Sequence, residues 1–136
     1  MEFGFFDFIF LRKRLEQLSR IFDDLNEVTD KIIENADILK KGYDEEADYN
    51  YQFLLYKISS LILETSDCIT TQETNDIYDD VYRFFNDSIY EKSDTKIEEN
   101  FEKDIKYVHD KMNEILIKEG AIIMEREDKL LGIDKN

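Results

Sequence analysis

The sequence predicts an all-α protein, an antiparallel helical bundle of about four helices in which the first and last are the longest. Three observations predict it. The 136 residues include no proline and four glycines, a composition that favours long helices over the turn-rich chains of β-sandwiches. Apolar residues recur in steps of three and four over long stretches, which gathers them on one helical face. Signatures of helix starts fall between those stretches, so the connections are short and sequential helices run antiparallel. At this length residues 1–136 fit a single helical domain, which buries about two thirds of the surface its unfolded form exposes.

The first helix is read from Phe8, Leu11, Leu15, Leu18, Phe22, Leu25, Thr29, Ile32, Ala36 and Leu39, a seam of more than four heptads. Ile21, Val28 and Ile33 widen the stripe beyond a two-stranded coiled coil, which favours a bundle. Lys40, Lys41 and Gly42 supply the cations and glycine expected at its C-terminal end. The stretch before and into this seam, MEFGFFDFIFLRKR, does not read as a secretory signal, because Glu2 and Asp7 come early and Arg12, Lys13 and Arg14 follow the apolar run. Its uninterrupted apolar part, Phe8 to Leu11, is far short of the roughly 20 residues that cross a bilayer. It is expected to start the helix and pack on the protein's own core, with no membrane contact.

Asp44 can cap a second helix, with Glu45 and Glu46 in its first turn favouring the positive end of the dipole. Its seam is Ala47, Tyr51, Leu54, Ile58, Leu61, Thr65 and Cys68. Thr70 with Glu73 forms a capping box that opens a third helix carrying Ile77, Tyr78, Val81, Tyr82, Phe84, Phe85 and Ile89. Thr95 with Glu98 forms another box. The fourth helix then runs through Ile97, Phe101, Ile105, Val108, Met112, Ile115 and Leu116, and is expected to continue past Gly120 through Ile122, Ile123 and Met124 at a cost of about 1 kcal/mol for the glycine.

The net charge of -15 is unevenly placed. Residues 1–42 and 101–136 each carry 7 bases and 9 acids, whereas residues 43–100 carry 4 bases against 15 acids. A partner of the central third should be basic. The single cysteine leaves no internal disulfide and suits a reducing, cytoplasmic compartment.

Chemistry is hard to place on this chain. His109 is the only histidine, and the position three before it, where a di-iron bundle places Glu, is Lys106. Cys68 lies on a core seam in an acidic segment that would raise a thiol pKa, so it reads as a small buried hydrophobe rather than a nucleophile. DEEADYN resembles a calcium loop, but Tyr49 stands at its sixth position and Leu55 at its twelfth, where glycine and a bidentate Glu belong. The four glycines are isolated, so there is no phosphate-binding loop. Arg12, Lys13, Arg14 and Arg20 form the only local basic cluster, and the net charge opposes direct nucleic-acid binding. Asp and Glu are scarce on the seams, which disfavours a buried-carboxylate enzyme. No cofactor and no metal are expected.

A surface for protein remains. Tyr49, Phe53, Tyr56 and Leu63 point away from the second helix's seam, so that helix is apolar on two sides. Either it sits centrally with both sides covered, or it exposes an aromatic stripe flanked by Asp44, Glu45, Glu46, Asp48 and Glu64. On the third helix Glu73, Asp76, Asp80 and Asp87 fall along one side with Asp79 nearby, and Arg83 is the only base. Such a run is usually a solvated face, yet the i,i+4 cations that relieve self-repulsion are nearly absent.

The expectation is a non-enzymatic acidic inhibitor that blocks a basic protein partner, as a toxin immunity protein or a virus-encoded anti-defence mimic of nucleic acid would. The alternative is a self-associating scaffold or adaptor, dimerising through the first helix and the N-terminal phenylalanines.

Overall fold

The computed structural model describes residues 5–93 and 96–132 and shows four long helices and no strand among them. They are α1 (Phe5–Lys41), α2 (Glu45–Ser66), α3 (Gln72–Phe85) and α4 (Phe101–Leu130), with a π-helical turn, Asn86–Tyr90, extending α3. The first and last are the longest. α1 packs against α2 and α4, and α3 packs against α4. Cross-helix contacts fix the directions: Arg14 donates to the carbonyl of Asp67, Arg12 meets Glu127, and Lys118 meets Glu73. Each sequential pair is therefore antiparallel, as is α1 against α4.

The seams read from spacing become the core. On α1, Leu11, Leu18, Leu25, Thr29, Ile32 and Ala36 are buried, as is Ile21, and Phe22 and Leu39 pack partly buried beside them. All seven seam positions of α2 and its exit, Ala47 to Cys68, are buried, together with Leu55 and Ile62. Tyr51 and Phe101 join α2 to the start of α4 with ring centroids 5.5 Å apart. Burial pushes the Tyr51 phenol up to about 12 and raises the Cys68 thiol, since neither neighbourhood solvates the anion.

Four expectations need correction. The N-cap of α3 is Thr71, not Thr70: the Thr71 hydroxyl accepts from the Thr74 amide at 3.1 Å. Thr70 is drawn away by a carboxylate from α4. The fourth helix starts at Phe101, not near Ile97; Thr95 lies outside the described residues, and Glu98 and Ile97 precede the helix. Tyr82 faces outward rather than inward. The N-terminal phenylalanines are only partly on the core: Leu11 is buried and Phe8 half-buried, but Phe6 and Phe10 are 83% and 59% exposed, and the side chain of Phe5 lies outside what is described.

α4 does run through Gly120. A Cβ there would meet Leu15 Cδ1 at 3.9 Å, an ordinary contact. The helix ends where Gly132 adopts φ +73°, a left-handed conformation open to glycine at little cost. No helix among the described residues is long and apolar enough to cross a membrane.

Candidate protein-binding surface

α2 begins where Asp44, in extended backbone, accepts the Ala47 amide at 2.8 Å. Glu45, Glu46 and Asp48 follow in the first turn, where the positive end of the helix dipole favours them. Their presence therefore has a local cause. From there the helix carries two apolar faces: the buried one lies against α1, and the outer one stays open to solvent. On the outer face Tyr49 is 71% exposed, Phe53 53%, Tyr56 68% and Leu63 54%. The helix is thus not central in the sense of being covered on both sides.

The outer face has a shoulder. Gln52 donates to the carbonyl of Ser93 at 3.1 Å, which ties α2 to the segment after the π turn. Tyr56 and Tyr90 then flank a cleft of about 480 Å³, floored by Gln52 and Leu55 and edged by Glu91 and Ser93. Tyr90 was not singled out by sequence. It lies between Ile89 and Glu91 at the end of the wider π turn, closed by the Glu91 amide on the Asn86 carbonyl at 2.9 Å, and is exposed while Ile89 stays buried.

On α3, Glu73, Asp76, Asp79 and Asp80 are exposed, and Asp87 is exposed on the π turn. Glu73 is paired with Lys118 of α4 at 2.5 Å, and Asp76 accepts from Gln72 at 2.7 Å. Among the described residues no ion pair reaches Glu45, Glu46, Asp48, Asp79, Asp80 or Asp87. Because α2 and α3 are antiparallel, the α2 acids and Asp87 share one end of the bundle. Glu73 and Asp76 lie at the other, with Asp79 and Asp80 between.

A buried carboxylate on α4, Glu119, escaped the sequence reading. Glu119, 1% exposed, accepts the Thr70 amide at 2.9 Å, the Thr70 hydroxyl at 2.6 Å and the Thr74 hydroxyl at 2.5 Å. Burial pushes this carboxyl's pKa up, but the bonds from Thr70, Thr74 and the Thr71 backbone outweigh it and hold the group below its ordinary 4.5. The carboxylate thus clasps the α2–α3 connection and the start of α3. Its spacing from Met112, Leu116 and Ile123 places it on the α4 seam, the signal that was available. Carboxylates are not absent from the seams, and this one is saturated by its donors. His109 is half-buried and bonds Asn26 of α1 through Nε2, with the Asn113 amide 3.2 Å from the same nitrogen.

Comparison with protein-family models, with curated proteins and with solved structures finds no match for the chain. The fold defines a four-helix antiparallel bundle, and the outward residues define a candidate surface for protein.

Proposed function

We propose that the protein is a non-enzymatic inhibitor that binds and blocks a basic protein partner, acting in the cytoplasm in the manner of a toxin immunity protein or an anti-defence mimic of nucleic acid. One observation carries the reading: among the described residues no ion pair reaches the exposed Glu45, Glu46, Asp79, Asp80 and Asp87 or the half-buried Asp48, and the first-turn acids of α2 lead into the open rings Tyr49, Phe53 and Tyr56. Carboxylates left unpaired repel one another at a cost to the fold, which a cationic surface would relieve on binding. Aromatic side chains bring large contact area with few rotamers to freeze. Covering a nucleic-acid-binding or catalytic surface of the partner would inhibit it. The test is capture of a basic partner by the tagged protein, titrated with salt. Capture should weaken steeply as salt rises and with Asp76, Asp79 and Asp80 reversed to Lys; insensitivity to both would overturn the reading.

A second reading, self-association as a scaffold or adaptor, is favoured by the open apolar groove between the ends of α1 and α4, lined by Phe10, Leu11 and Leu130. Sedimentation at micromolar concentration decides it. A monomer removes it, and a dimer lost on Phe6→Ser and Phe10→Ser supports it.

A further inference from the structure

We infer that the outer face of α2 seats a partner α-helix, amphipathic, with apolar residues at heptad spacing and Lys or Arg along its flanks. The inference rests on the basic-partner reading above and names the form that partner takes.

The geometry comes first. Positions 49, 53, 56, 60 and 63 advance by four, three, four and three residues, the spacing of a helix-packing seam rather than of scattered surface apolars. At about 100° per residue they fall within an arc of roughly 80°, and they extend about 21 Å along the axis, close to four turns. Ser60, the small member, sits between Tyr56 and Leu63 and leaves a gap for an incoming side chain. The inner seam of the same helix, Ala47 to Thr65, shows what such spacing does when a partner is present, because α1, joined at Tyr51 by Phe101 of α4, buries it. The outer seam has the same pattern and no cover. The cleft between Tyr56 and Tyr90 offers a pocket beside it for one large side chain.

Charge then selects the occupant. Residues 44–67 hold six acids and one base, Lys57. Glu64 is already paired with Arg20, whereas Glu45, Glu46 and Asp48 are unpaired. A partner helix therefore places its densest cations over the N-terminal half of α2. A second copy of this chain is the poorer occupant, since it brings the same acidic helix and another -15 of net charge to the contact.

The experiment uses the whole chain and two labelled probes. One is a synthetic peptide of about 21 residues with Leu at heptad a and d positions and Lys at the others, matching the length of the seam. The other is oligolysine of equal charge. Fluorescence anisotropy is read at physiological salt, where the Debye length is about 8 Å and charge alone acts weakly. The Leu/Lys peptide should bind, and the double variant Phe53→Ser with Tyr56→Ser should weaken it roughly tenfold or more, about 1.4 kcal/mol by conversion. Asp30→Asn with Glu34→Gln, exposed on α1, should change it far less. Both variants alter exposed side chains, and circular dichroism checks that they remain folded. If the double aromatic variant binds as the parent does, or oligolysine competes equally, the seam is not the seat, while the basic-partner reading stands. If neither probe binds even at low salt, both fall. If sedimentation shows a dimer that Phe53→Ser abolishes, the occupant is a second copy and the inference is overturned.

Discussion

The long outer helices and the segment between them handle charge in opposite ways. α1 and α4 belong to stretches of 7 bases against 9 acids each, and they pair many of these one turn apart: Arg20 with Asp24, Lys31 with Glu27, Lys106 with Glu102, Lys129 with Glu125. Residues 43–100 hold 15 acids and 4 bases, and the acids of α2 and α3 are relieved chiefly at helix starts or by cations borrowed from the long helices, as Glu64 is by Arg20 and Glu73 by Lys118. Surface charge thus follows two rules within one bundle. The long helices balance most of their charge locally; the central pair carries a net negative field that its own bases do not offset.

The largest test bears on the joint between the two regions. Glu119→Ala leaves the Thr70 amide and the Thr70 and Thr74 hydroxyls without their acceptor, and thermal or urea unfolding should show a loss of about 3 kcal/mol. Glu119→Gln should lose about half as much, because its oxygen can keep the Thr70 amide while its NH₂ donates to a hydroxyl. Since the folded carboxyl lies below its ordinary 4.5, its contribution is complete above that pH and is lost as pH falls through the lower folded value. Stability of the parent should therefore drop more steeply than that of Glu119→Gln in acid below about pH 4.5. Equal slopes would show that the clasp does not depend on the charge.

A smaller effect belongs to the quiet region. Gly120→Ala adds a methyl that meets Leu15 at an ordinary distance, so removal of the glycine should stabilise α4 by about 1 kcal/mol in chemical denaturation. A loss instead would mean that α1 and α4 cannot absorb the contact.

The smallest effects carry opposite signs and so sharpen the contrast most. Asp80→Lys places a cation one turn from Asp76 and should raise stability by about 0.5 kcal/mol at low salt. Lys106→Glu removes the partner of Glu102 and should lower it by a similar amount. Both differences should shrink as salt is added, read as melting temperatures along a sodium chloride series. If the two substitutions moved stability in the same direction, the two regions would not differ as described.

Much of this was legible in the residues. The seams of α1, α2 and α4 were readable because burial repeats with the helical period, and the Asp44 cap because capping is decided within four residues. The third helix was harder. Thr70 and Thr71 are adjacent, and local chemistry favours Thr70, which alone has a Glu three positions on. Glu119 from α4 reverses that order by taking Thr70 for itself. Tyr82 precedes the π turn and sits one residue past the buried Val81, at the margin of the seam, where a tyrosine can face either way; the register of Tyr90 depends on the π turn after Phe85.

By itself the sequence determined the helical class, the long first and last helices, the buried faces and the acidic centre, because period, capping and charge count are properties of neighbouring residues. Only the tertiary structure decided which of the two apolar faces of α2 is covered, where Thr70 turns, and which carboxylates find a cation. Those outcomes depend on what lies across the bundle, and a helix with two suitable faces holds no local record of which one its neighbour will take.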